Sequence, residues 1–456
     1  MSSASSRGSQ WLVIGGGVMG LRVAQELVDR GQSVKLVEAA PSIGGLTSPW
    51  QLGDVRWDRF YHVTLLSDDV LRDQLARLGL EDELRWAETR TGFYAGGELH
   101  SMSNTWEFLR FRPLSLIQRL RLGFTIFLAS RIRDWRRMES QSVESWLRRW
   151  SGDAVFEKIW LPLLQAKLGD AYRKTSAAFI WAHTARMYKA RRSGAKKELF
   201  GYVPGGYSKI LDRWQRHLID AGVRLQTDCR VDSVTRDSDD GRLRVQFSDR
   251  AAEEFDAVVS TVASPLIADM VPQMASAEKD AHRGIGYLGV ICGSLLLKRS
   301  ISPFYVTNIT DPGIPLTGVI EMSTVIDRQA ELGGNHLVYL PQYATDDDVQ
   351  LSQTDEAYRE RCLQTLESMY GHFSRDDVVA FEVARARYVA ALSTIDYSLR
   401  LPPIVSGVRG FYALNSAHIL EGNLNVNETI KLASEKFANE VWPNFSSDLS
   451  SDVRDE

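Results

Sequence analysis

Cysteine is scarce in this chain: Cys229, Cys292 and Cys362 are spread far apart along 456 residues. An odd, scattered set gives no disulfide framework and no cluster of metal ligands, and it fits a reducing compartment, the cytoplasm. Long apolar runs are missing as well. No stretch reaches the roughly 18 uninterrupted apolar residues that a membrane-spanning helix needs, and Met1 to Gln10 reads as a polar, Ser-rich lead-in without the apolar core of a secretory signal. There is no strong excess of charge. A formal net charge of −4 argues against a nucleic-acid binder held by global electrostatics. Internal repeats are absent, and the Ser- and Asp-rich end of the chain places a disordered acidic tail at 442–456.

What is present is ordinary globular material, 44% hydrophobic and 25% charged, in a chain too long for one core and therefore divided into two or three domains. Its most specific stretch runs from Trp11 to Gly45. An apolar strand, Trp11 to Ile14, leads into Gly15-Gly16-Gly17-Val18-Met19-Gly20 and an amphipathic helix to about Arg30, and a second strand, Ser33 to Val37, ends on Glu38. In such a βαβ unit Gly15 allows the tight turn, Gly17 lets backbone approach a pyrophosphate and Gly20 lets helix and strand pack closely. The helix start, with Val18 and Met19, offers N–H groups to phosphate. Glu38 stands where a carboxylate accepts hydrogen bonds from an adenosine ribose and repels a 2′-phosphate.

A second glycine pair, Gly44-Gly45, follows the acid directly. With it, the stretch resembles the extended FAD fingerprint of the glutathione-reductase-like flavoproteins, in particular the amine oxidase, protoporphyrinogen oxidase and phytoene desaturase superfamily. Leu46 stands where that family usually has arginine. Further along, Pro204-Gly205-Gly206 before a helix resembles the step at which the family chain returns to the FAD domain. Val231 matches the position whose backbone contacts adenine. Gln141 to Leu147 and Leu161 to Leu164 resemble the helical cap motif of protoporphyrinogen-oxidase-like proteins. Gly410 to Leu414 resembles the family's last strand, with Asn415-Ser416 replacing the usual Gly-Asp contact to the flavin ribityl chain. The helix beginning at Val426, after the N-cap residues Asn423 to Asn425, has two readings: a plain capped helix, or, as the resemblance implies, a dipole aimed at the flavin.

The resemblance implies an α/β fold: a discontinuous Rossmann-like FAD-binding domain with a helical cap and a second α+β substrate domain. The chain divides accordingly into a flexible N-terminus (1–10), an FAD-binding domain (11–90, 201–265 and 396–441), a mainly helical cap (91–200) and a β-rich substrate domain (266–395). The expected activity is FAD-dependent oxidation by hydride transfer from a C–N or C–C bond of a small or lipophilic substrate. Two rivals stand beside it. One is a sugar-nucleotide isomerase like UDP-galactopyranose mutase, which the basic stretch Lys189 to Lys197 would suit; the other is a flavin-binding protein without turnover.

Hydride transfer to flavin needs placement and desolvation more than a protein nucleophile, so catalytic candidates are few. Asp58 and His62, in Trp57 to His62, are placed to hold a proton beside the ring, or else form a structural ion pair and a hydrogen-bonded core histidine. Tyr397 and Tyr412 either wall a substrate cavity or belong to the core. Residues 110–137 interleave arginines with large apolar side chains, the pattern of a helix lying peripherally on an anionic membrane or of a cap helix with solvated arginines. Nothing in the sequence sets the oligomeric state, and no metal site is expected.

Overall fold

In the computed structural model, which describes residues 9–192, 198–236, 241–345 and 349–452, the fingerprint strand Gln10–Ile14 lies at the centre of a five-stranded parallel sheet. Ser33–Val37 and then Arg224–Gln226 pair on one side, and Ala257–Ser260 and then Phe411–Ala413 on the other. The central strands are buried on both faces and therefore read as near-continuous apolar runs. The order doubles back at the first strand, so the switch point of the sheet falls at the Gly15–Gly20 turn, where open α/β sheets bind ligands.

Helix Val18–Val28 packs between the return helix Gly206–Asp220 and the closing helix Val426–Lys436. Arg22 ties this layer together, donating to Ser434 at 2.8 Å, Gln74 at 2.8 Å and Glu26 at 2.6 Å. A three-stranded antiparallel sheet, Val231–Arg236, Leu243–Phe247 and Glu253–Phe255, covers the other face.

The second large body is a seven-stranded sheet, in the order Val378–Ala391, Tyr287–Leu297, His336–Thr345, Gly318–Glu321, Val306–Ile309, Thr91–Ala95, Glu98–Ser101. The hairpin around Gly96-Gly97 thus adds to this sheet through Val306–Ile309 and does not belong with the cap helices that follow it. Those helices, including Leu116–Arg131, Val143–Ser151, Leu161–Leu168 and Ala178–Arg192, enclose their own apolar core. Among the described residues no helix is long and apolar enough to cross a membrane.

The 14-residue strand Val378–Ala391 falls within the β-rich region expected over 266–395. It is an edge strand, paired on one side only, and edges tolerate the Ala and Arg residues it contains. The tail from 442 is not disordered throughout: Trp442–Asp452 is helical. Phe445 is buried with its ring 4.4 Å from that of Trp11, so two aromatic anchors outweigh the polar composition around them. Residues 453–456 lie outside the described ones, as do residues 1–8 of the N-terminal lead-in.

Phe445→Ala should therefore lower stability by about 3 kcal/mol, the usual cost of emptying a buried phenylalanine site. A urea midpoint unchanged from the parent would show that this helix does not hold the sheet.

Candidate functional site

The first glycine turn is held by its own acid. Gly16 N–H donates to Glu38 Oε2 at 2.7 Å and Ala40 N–H to Oε1 at 2.8 Å, which leaves each oxygen a further lone pair. Gly15 has φ +104°, and a Cβ there would meet Thr261 Oγ1 at 2.6 Å; a Cβ on Gly20 would overlap the Gly15 carbonyl. These two positions are closed by the fold. Gly17 is different: a Cβ there would meet nothing within 4 Å.

Gly44 N–H donates to Gly16 O at 2.8 Å, so the second glycine pair lies against the first. Gly45 faces Gly17, its added Cβ 3.4 Å from the Gly17 Cα. Val18 and Met19 begin a helix whose N-cap, Gly17, brings no side-chain cap, so its first N–H groups are available to an anion. Leu46 packs against the neighbouring core. Val231 opens its strand at a register shift beside Cys229, whose N–H bonds Glu38 O at 2.9 Å. Val231 is thereby brought to the same end of the sheet.

At the far strand, Asn415 Oδ1 accepts from Ala417 N–H at 3.0 Å, while its buried Nδ2 has no partner among the described residues. Ser416 opens the short 3-10 turn that follows. An open glycine cradle, an uncapped helix start and an orphaned buried amide form a donor set that fits a dinucleotide such as FAD. The closing helix is capped by Asn425, which accepts from Glu428 N–H at 3.0 Å, so Val426 stands at a well-made helix start.

Of the four catalytic candidates, two are committed elsewhere. Asp58 Oδ1 accepts from Tyr207 N–H at 2.8 Å at the start of the return helix, and burial pushes its carboxyl up to about 7. It is a helix cap bridging two segments. Tyr412 is fully buried behind the parallel sheet, stacked 5.9 Å from Trp11, with its hydroxyl donating to Asn444 at 3.0 Å. The alternation of the strand turns it to the helix layer, away from the substrate side.

His62 shares a hydrogen bond with Phe60 O at 3.0 Å and lies 5.0 Å from the Tyr207 ring; burial holds its imidazole neutral, down to about 4. Tyr397 donates to Ala417 O at 2.9 Å, beneath Ser416.

A cavity of about 90 Å³ opens beside Ser416, between the cap and the seven-stranded sheet. Among the described residues Lys167 is the only charged one on its wall; Phe179, Leu288, Tyr343, Leu392 and Ile419 are among the others. Lys167 Nζ sits 4.7 Å over the Tyr343 ring, and the Tyr343 hydroxyl is 3.1 Å from that of Tyr61. Asn423 bonds His183 Nδ1 at 3.3 Å, at the exposed end of this group. Sequence reasoning missed this group. Tyr61 lay inside the quoted Trp57 to His62 segment, but Lys167, His183, Tyr343 and Asn423 come from four separate stretches with no local pattern to join them.

A family model described as flavin containing amine oxidoreductase matches residues 20–413. Among curated proteins, the zeta-carotene desaturase of Synechocystis sp. is 23% identical over 331 residues. That match covers 66% of each chain, so the chain spans just under two thirds of that relative's length. Among solved structures, a fatty acid isomerase from P. acnes that produces CLA aligns with TM-score 0.70 and 16% identity, over 96% of this chain and 100% of that one. A putrescine oxidase bound to putrescine aligns with TM-score 0.71 and 16% identity, over 95% and 99%. At these identities the structural likenesses show the shared fold.

Gly17→Ala adds a Cβ with no neighbour within 4 Å and should leave the fold and the flavin-free melting temperature unchanged while flavin content after purification falls by more than about tenfold. Flavin retained at the parental level would remove Gly17 from the cradle. Asp58 carries a second test. Because its folded pKa is raised, the stability tied to its protonated form is present below about pH 4 and is lost as pH rises through about 7. Asp58→Asn keeps the cap acceptor without the ionisation, so its stability relative to the parent should climb by about 1–4 kcal/mol between pH 4 and pH 8. Urea melts that differ by a pH-independent amount would rule this out.

Proposed function

Because the chain belongs to the flavin containing amine oxidoreductase family, we propose that this FAD-dependent oxidoreductase takes an apolar substrate carrying an acidic group and desaturates one of its C–C bonds, one carbon giving up a hydride to the flavin and its neighbour a proton to the medium. The observation that carries the reading is the cavity wall: apolar side chains, one cation, Lys167, and no carboxylate among its lining residues. A dicationic polyamine needs carboxylates to replace its lost hydration. Here it would instead meet the Lys167 ammonium.

The residue roles follow from that wall. FAD, held by the Gly15–Gly20 turn, Glu38 and Gly44-Gly45, would supply the hydride acceptor, so no protein group has to form a covalent bond. Lys167 binds the acidic end by a charge-assisted hydrogen bond. Phe179, Leu288, Leu392 and Ile419 align the apolar chain and keep water out. His62, held neutral by burial, adds no charge of its own.

The fatty acid isomerase and zeta-carotene desaturase among the similar proteins act, by name, on substrates of this apolar kind. The sugar-nucleotide rival drew on Lys189 to Lys197, whose side chains lie outside the described residues. A single lysine in an apolar wall is also little for a diphosphate.

Anaerobic mixing with an unsaturated long-chain fatty acid should bleach the oxidised flavin band, and putrescine should leave it unchanged. Lys167→Met should raise KM for the acid by about tenfold or more with a smaller change in kcat, the signature of lost ground-state binding. Bleaching by putrescine alone, or an unaltered KM, would sink the proposal.

A further inference from the structure

Helix Leu116–Arg131 is apolar on two opposite faces. Leu122, Thr125 and Ala129 are buried, and Ser151 donates to Thr125 at 3.0 Å, seating the helix on the cap. On the other side Leu116, Ile117, Leu120, Phe124 and Phe127 are 47–72% exposed. At 3.6 residues per turn these five fall within an arc of roughly 100°. They are five of eleven large hydrophobic side chains exposed among the described residues, and Trp106, 72% exposed on the preceding short helix, is another. The cap buries one of these two faces, and an exposed patch of this kind marks a surface that is covered in use.

The charge around the patch says by what. Between Thr105 and Arg137 there are eight arginines and two acidic residues, in a chain of net charge −4. One of the two acids, Glu107, is turned inward onto Ser101 and Ser103. Arg131 lies over Phe127 at 4.9 Å and Arg110 over Trp106 at 5.9 Å, so guanidinium groups ride on the apolar rings, as at a lipid headgroup boundary. The surface also continues to the cavity. Trp181 donates to Ile132 O at 2.9 Å, just past the end of the helix, and Trp135 donates to Glu421 at 3.0 Å. Gly422 to Leu424, next in sequence, line the cavity wall.

We propose that the outer face of helix 116–131 docks the protein on an anionic lipid surface, with the apolar stripe in the acyl boundary and the arginines at the phosphate level. The docking stands independently of which substrate the cavity takes. A second copy of this chain is the competing occupant; it would have to cover the arginines with matching acids, and the face carries none to offer in exchange.

The test uses the FAD-loaded full chain sedimented with vesicles of phosphatidylcholine alone or mixed with phosphatidylglycerol. Binding should be at least about tenfold tighter to the anionic vesicles and should weaken as salt is raised. The triple variant Ile117→Ser, Leu120→Ser, Phe124→Ser should lose that binding by about tenfold or more, with flavin content and melting temperature kept, since all three side chains are exposed. Arg131→Gln with Arg133→Gln should erase the preference for anionic vesicles while any residual neutral binding stays. A parent protein that ignores both vesicles, or a triple variant that binds like the parent, overturns the proposal. So does a parent dimer in analytical ultracentrifugation that the triple variant splits into monomers without any vesicle binding, an outcome that assigns the stripe to a second copy.

Discussion

Three parts of the molecule meet at Asp58. Its carboxylate takes the Tyr207 N–H that opens the return helix, and its backbone carbonyl takes the Tyr339 hydroxyl from the middle of the seven-stranded sheet at 2.6 Å. One residue of an early hairpin thus fixes where the second segment of the parallel sheet begins and where the large sheet sits against it. The arrangement is purchased with a buried carboxyl, which is why its proton is held so firmly. Everything around the cavity depends on that junction, since Tyr61 and His62 follow Asp58 directly and Tyr343 lies four residues beyond Tyr339.

The sequence is most legible where the physics is local. From Gln10 to Gly45 the bonds that shape the two glycine turns are made within the unit: the Glu38 carboxylate returns 22 residues to Gly16, and Gly44 to the same residue. Glycine spacing, helix and acid could therefore be read together. Asp58 could not, because its partner is 149 residues away. Tyr412 was ambiguous for a different reason: on a strand buried on both faces, nothing in the residues themselves says which face an aromatic joins. The cavity was illegible for both reasons, assembled from the cap, two strands and the loop before the closing helix.

The cap helix 116–131 shows how a periodicity argument can be right about residues and silent about orientation. The interleaving of arginine and apolar side chains was visible, yet two apolar faces cancel in any measure of one-sidedness. Only the packing of Thr125 and Ala129 against the cap identifies which face is left outside.

The parallel sheet also sets a timetable. Its centre, Gln10–Ile14, is made long before its edge, Phe411–Ala413, and the Phe445 that covers Trp11. Contacts spanning some 400 residues, such as Arg22 to Ser434, come late and slowly in folding. The parallel sheet is therefore completed only once its third segment has been made. Until then the apolar strands at its heart stay without their outer neighbours.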